Sequence, residues 1–111
     1  MTVKEIAEKL DFQVLGGEKG LDQAVTTGYV SDLLSDVMGN ARAGSIWVTL
    51  QTHKNVMAIA SLKDLAAIIL VNNHKPEDDM LAQSNEEGIP VLATSMGTFD
   101  VSGKLYELLR K

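Results

Sequence analysis

The run Ala66-Ala67-Ile68-Ile69-Leu70-Val71 (AAIILV) decides the fold. Six consecutive apolar residues without a charge describe a strand covered on both faces, as inside a parallel sheet. The segments on either side repeat the theme. Ser45 to Leu50 (SIWVTL) reads as a strand before it, and Val91 to Ala93 as a strand after it. Ile46 and Ile68 are 22 residues apart, and Ile68 and Val91 are 23 apart. Helical patterns fill both gaps. Asn55 to Leu65 turns Val56, Ile59 and Ala60 to one side. A second helix starts at Pro76, with Glu77, Asp78 and Asp79 complementing its dipole, and ends at Gly88. A last helix, capped by Thr98, carries Phe99, Leu105, Leu108 and Leu109 as its apolar stripe. Strand–helix units of nearly equal length imply parallel strands joined by right-handed crossovers. The expected architecture is α/β, a three-layer sandwich with a mainly parallel central sheet. It holds three consecutive strand–helix units after an N-terminal helix and short strands.

Toward the N-terminus the signals are shorter. Thr2 with Glu5 forms a capping box, and Val3, Ile6, Ala7 and Leu10 follow at helical spacing. Phe12 to Leu15 reads as a short strand stopped by Gly16-Gly17, and Glu18 to Thr27 as a loop. Gly28-Tyr29-Val30 forms another short strand. Ser31 or Asp32 then caps a helix that buries Leu33, Leu34, Val37 and Met38 and stops at Gly39. In strand 45–50, Trp47 is expected to pack against a helix.

Composition narrows the function classes. A chain of 111 residues with 45% hydrophobic and 23% charged residues suits one globular domain, 1–111. The net charge of −5 and the scattered cations disfavour nucleic acid and anionic membranes as partners. Without cysteine there is no disulfide, thiolate metal site or cysteine nucleophile. The start Met1-Thr2-Val3-Lys4-Glu5 has no signal-peptide core, and the longest apolar run is too short to cross a bilayer. A cytoplasmic protein is expected.

Ligands of open parallel sheets bind beyond the carboxyl ends of the strands. That rule selects Ser31 and Asp32; Gln51, Thr52 and His53; Asn72, Asn73 and His74; and Thr94 and Ser95, with Gly97 and Thr98 beyond them. All precede a predicted helix, where main-chain N–H groups and the helix dipole favour a nucleotide or other small anion. Helix starts need polar caps in any case, so these residues are equally readable as caps. His53 and His74 occupy equivalent places in successive units, yet their spacing fits no metal motif. Catalytic motifs are missing. There is no phosphate-binding G-x-x-x-x-G-K-[ST] loop and no G-x-S-x-G elbow, and Gly16-Gly17-x-x-Gly20 reads as a turn. A Ser31–His53–Asp32 triad can be written down, but nothing in the sequence orients it. The chain is expected to be non-catalytic, without catalytic residues, metal or cofactor.

The segment from about Ala43 to Phe99 resembles the DRTGG domain. The carriers are AGSIWVTL, KNVMAIASLKDLAAIILV and, most specifically, EEGIPVLATSMGTF. The resemblance implies a fold related to the N-terminal domain of HPr kinase and a regulatory role, often as a homodimer. VSDLLSDVMGNARAG before the strand is similar to short members encoded near iron hydrogenases. That suggests the alternative of a protein-interaction accessory subunit with a redox-enzyme partner. The eponymous residues differ. Gln51-Thr52-His53 stands at Asp-Arg, and Asn72-Asn73-His74 at Thr-Gly-Gly.

Overall fold

The computed structural model describes residues 1–110. The elements in order are α1 (Val3–Lys9), β1 (Gln13–Gly16), β2 (Thr27–Val30), α2 (Leu34–Asn40), β3 (Ser45–Thr49), α3 (Asn55–Leu62), β4 (Ala67–Leu70), α4 (Asp78–Glu87), β5 (Val91–Ala93) and α5 (Thr98–Leu109). A 3-10 turn, Glu18–Gly20, lies between β1 and β2. The five strands form one sheet in the order β1-β5-β4-β3-β2. β2, β3, β4 and β5 are parallel, and β1 runs antiparallel on β5.

The layers follow from that order. The chain steps through β2, β3, β4 and β5 in one direction, so crossovers of one hand put their helices on one face. Val37 of α2, Val56 and Met57 of α3, and Met80 of α4 pack there against Trp47, Ile68 and Leu70. Val3 and Ile6 of α1 with Val101 and Leu105 of α5 cover the opposite face, against Ile46, Val48, Ala67 and Ile69. Alternate residues of one strand therefore enter different cores, and β3 and β4 are buried along their whole length. The continuous apolar runs of the sequence have this cause. Trp47 is fully buried, and its ring N–H donates to the Ser31 carbonyl at 2.8 Å.

The N-terminal capping box is present, with the Thr2 hydroxyl accepting from Glu5 N–H and the Glu5 carboxylate accepting from Thr2 N–H. That main-chain donor, then the Thr2 hydroxyl, holds the Glu5 carboxyl below its usual range. The Gly16-Gly17 stretch is more than a turn. Gly17 has φ 71° and donates to Asn85 Oδ1. A Cβ on Gly20 would lie 1.9 Å from the Gly88 carbonyl oxygen. These glycines let the chain press against the end of α4.

Several boundary expectations differ. α4 starts at Asp78 rather than at Pro76, with Glu77 as its N-cap. The Glu77 N–H is drawn off to the Thr52 carbonyl, which holds that residue extended. α5 begins at Thr98, so Gly97 occupies the cap position and Thr98 does not. Phe99 is 90% exposed and does not join the stripe, because α5 turns Val101 inward beside the expected Leu105, with Leu108 and Leu109 partly buried. In α2 only Val37 is buried. Leu33 and Met38 are exposed, and Gly39 lies inside the helix. α2 lies beside α3 near the β2 edge of the sheet, where Val37 with the half-buried Leu34 joins the core.

Candidate functional site

The parallel strands bring the expected segments to one rim. Ser31-Asp32 follows β2, Leu50 to His53 follows β3, Val71 to His74 follows β4, and Thr94 to Met96 follows β5. Because β1 is antiparallel, its start at Gln13 reaches the same rim, with Asp11 just before it. The rim divides into two parts of opposite character.

At the β2–β3 end the polar groups satisfy one another. One Asp32 carboxylate oxygen accepts from the Leu50 N–H at 2.7 Å and from the Thr49 hydroxyl at 2.9 Å. The Gln51 side-chain amide donates to the Asp32 carbonyl at 2.7 Å, and Gln51 Oε1 meets His53 Nε2 at 3.1 Å. The Ser31 hydroxyl accepts from the Leu33 N–H. The Tyr29 hydroxyl donates to Asp36 at 2.9 Å, and Asn40 reaches the same carboxylate. The hydroxyls of Ser31 and Tyr29 hold the Asp36 carboxyl below its usual range, against the opposing effect of burial. Burial, and then the bond to Asp36, pushes the Tyr29 phenol up. This end is a clamp that ties β2 to β3 and starts α2. Ser31, His53 and Asp32 each serve a different partner, so they form no proton relay.

At the β4–β5 end the backbone is strained and the side chains bond only locally, the Thr94 hydroxyl accepting from the Met96 N–H at 3.1 Å. Asn72 and Asn73 both sit in the left-handed region, at φ 56° and 59°. Their N–H groups donate to the carbonyls of Met96 and Thr94, at 2.9 and 3.0 Å. Asparagine tolerates this backbone because its short polar side chain has small steric cost there. The His74 ring Nδ1 lies 3.1 Å from the Val71 carbonyl.

A polar crevice of about 220 Å³ opens beside this turn, lined by Asp11, Gln13, Asn73, His74, Thr94 and Ser95, with Lys75 at its side. A second hollow of about 330 Å³ continues from it past Asp11, Thr94 and Ser95 to Lys9 and Lys104. Of the expected residues, Asn73, His74, Thr94 and Ser95 thus meet in one crevice. Asn72 holds the turn behind it, and Thr52 offers its carbonyl to Glu77. Ser31, Asp32, Gln51 and His53 belong to the clamp. The sequence reading missed Lys9, Asp11, Gln13 and Lys104. Asp11 turns to positive φ (58°) where the chain bends from α1 onto the rim, a dihedral that the sequence does not display. Among the described residues no three His, Asp or Glu side chains converge as metal ligands.

Comparison with known proteins places this architecture. An uncharacterized protein of Bacillus subtilis (strain 168), YtoI, is 24% identical over 109 residues, covering 95% of this chain and 24% of YtoI. The structure is similar to the crystal structure of the CBS and DRTGG domains of the regulatory region of Clostridium perfringens pyrophosphatase, complexed with the activator diadenosine tetraphosphate. The TM-score is 0.68 at 13% identity, over 94% of this chain and 45% of that one. The chain thus spans about a quarter of the one relative and under half of the other. The DRTGG domain model matches residues 5–108, nearly the whole length, and the chain belongs to the DRTGG domain family.

Proposed function

We propose that this chain is a non-catalytic regulatory module that senses a small anionic ligand, a nucleotide or related phosphate, in the crevice at the carboxyl ends of β4 and β5. One observation carries the reading. In a chain of net charge −5, three lysines, Lys9, Lys75 and Lys104, border the connected hollows around Thr94 and Ser95. Cations gathered at the open end of a parallel sheet favour a phosphate or carboxylate. The similar pyrophosphatase regulatory region, solved with diadenosine tetraphosphate, supports a nucleotide as the first ligand to try. Among the described residues Ser31, Thr94 and His74 bond to main-chain groups and His53 to Gln51 rather than to one another, which supports a sensing role over a catalytic one.

Thermal melting with ATP, AMP, diadenosine tetraphosphate and inorganic phosphate tests the proposal. Ligand at about a hundred times its Kd stabilises a fold by roughly 2.7 kcal/mol. For a domain of this size that raises the melting point by on the order of 10 °C. The shift is expected to vanish in the Lys9→Ala/Lys104→Ala double variant. No shift with any of the four would overturn the reading.

A second reading, a protein-contact subunit acting as a homodimer or with another protein such as a redox enzyme, is favoured by Phe99. It stands 90% exposed at the start of α5. Sedimentation of the wild type and of Phe99→Ser tests it. A dimer lost in the variant supports the reading, and a wild-type monomer that retains no partner on purification from its host sinks it.

A further inference from the structure

The molecule has a second concavity, remote from the rim in chemistry and construction. It lies where α5 crosses the edge strand β2. Its volume is about 450 Å³, within the range of small-molecule sites. Gly28, Val30, Val48, Leu105, Tyr106 and Arg110 form its floor and walls.

Three features show that the cleft is left open by the sequence. Gly28 pairs with Ile46 in the sheet, and Ile46 belongs to the core beneath α5. The glycine therefore omits a side chain just where the helix face would meet one. A Cβ there would touch Ile46 only at ordinary contact distances of 3.7 and 3.8 Å, so packing does not demand glycine. Val30 and Tyr106, two walls of the cleft, remain 47% and 64% exposed. Apolar walls facing water gain free energy when a ligand covers them. Finally, Arg110 stands at the mouth with its guanidinium over the Tyr106 ring, 5.1 Å from the centroid, and bonded to the Tyr106 hydroxyl. Among the described residues it is paired with no carboxylate. A guanidinium held on an aromatic face keeps most of its fork of donors for a planar anion.

We infer that this cleft is a binding site for a small amphiphilic carboxylate. The apolar body lies on Gly28 between Val30 and Leu105, and the carboxylate meets Arg110. An extended phosphate-rich ligand does not suit it, because one cation faces an otherwise largely apolar lining. The site is distinct from the lysine-bordered crevice, and neither depends on the other.

The test is an NMR titration of the ¹⁵N-labelled protein with octanoate and 3-phenylpropionate, and with the matched amides octanamide and 3-phenylpropanamide. Saturable shifts are expected at Thr26 to Val30 and along Ser102 to Arg110, with the acids binding about tenfold or more tighter than the amides. Arg110→Gln should bring acid and amide to the same affinity. Gly28→Leu should abolish both, since its side chain occupies the floor. If that variant fails to fold, Arg110→Gln still decides the matter. Absence of saturable shifts with both acids would overturn the inference. So would equal affinity of acid and amide, or shifts confined to the β4–β5 rim. A wild-type dimer converted to monomer by Gly28→Leu would also overturn it, because a second copy would then fill the cleft.

Discussion

The two halves of one rim have been put to opposite uses. At the β2–β3 end nearly every polar side chain is consumed within the protein. Asp32 alone takes a main-chain N–H and the hydroxyl of the buried Thr49. At the β4–β5 end main-chain carbonyls take the N–H groups of Asn72 and Asn73, the Thr94 hydroxyl accepts from the Met96 N–H, His74 Nδ1 lies on the Val71 carbonyl, and Ser95 with the free edges of these side chains lines a crevice bordered by lysines. Both halves carry short polar residues and one histidine after their strands, but Asp32 and Gln51 have no counterpart among Asn72, Asn73, Thr94 and Ser95. What separates them is the carboxylate: Asp32 closes the β2–β3 loops across the strands, whereas main-chain carbonyls take the N–H groups of Asn72 and Asn73 at the other end.

If that is right, substitutions at the two ends differ in kind. The largest effect is expected for Asp32→Ala. It strands the Thr49 hydroxyl and the Leu50 N–H, and should cost about 2–3 kcal/mol in urea denaturation. A loss under about 0.5 kcal/mol would show that water replaces the carboxylate and that the clamp is no clamp. Next comes Asn73. A β-branched residue in left-handed backbone is strained, so Asn73→Val should cost about 1–2 kcal/mol. Asn73→Gly should stay within about 1 kcal/mol of the wild type. Equal losses for both would mean that the asparagine side chain, not its backbone, holds this end.

A third measurement uses pH. The Asp36 carboxyl is lowered in the folded protein by the Ser31 and Tyr29 hydroxyls. Its contribution is therefore complete above the ordinary carboxylate range and is lost as pH falls through the lowered folded value. Burial and the bond to Asp36 raise the Tyr29 phenol, so its contribution is present below the ordinary phenol value and is lost as pH rises through the raised one. Stability of the clamp should form a plateau that falls on both sides. Asp36→Asn should flatten the acid limb, and Tyr29→Phe the alkaline one. An unchanged acid limb in Asp36→Asn would place the titration elsewhere. The smallest effect on stability is expected for Lys9→Ala and Lys104→Ala, within about 0.5 kcal/mol, because they border an open hollow. A larger loss would make them structural and remove them from the proposed site.

Much of this was legible before any coordinates. The AAIILV run, the spacing of 22 and 23 residues and the Thr2–Glu5 capping box led to the right fold class, layer count and first helix. Each depends on local periodicity or on a contact three residues away, which sequence displays directly. The rim was legible as well, because parallel strands put their carboxyl ends together. Its division was not. Whether Gln51 bonds to Asp32 or faces a ligand depends on atoms separated by a whole strand–helix unit.

Phe99 illustrates the same limit. Apolar spacing placed it in the α5 stripe, but the rotation of α5 on the sheet was decided by Val101 and Leu105 meeting Val48 and Ile69. The lysines of the crevice come from α1, the β4–α4 loop and α5, and no pattern along the chain links them. The sequence by itself determined the parallel sheet, its two covered faces and the polar edge where the strands end, since these follow from periodicity and covalent order. Tertiary structure alone decided which polar residues are spent on closing loops and which stay available. It also decided that Gly28 would lie beneath α5 as an open floor, because those outcomes depend on packing between segments far apart in the chain.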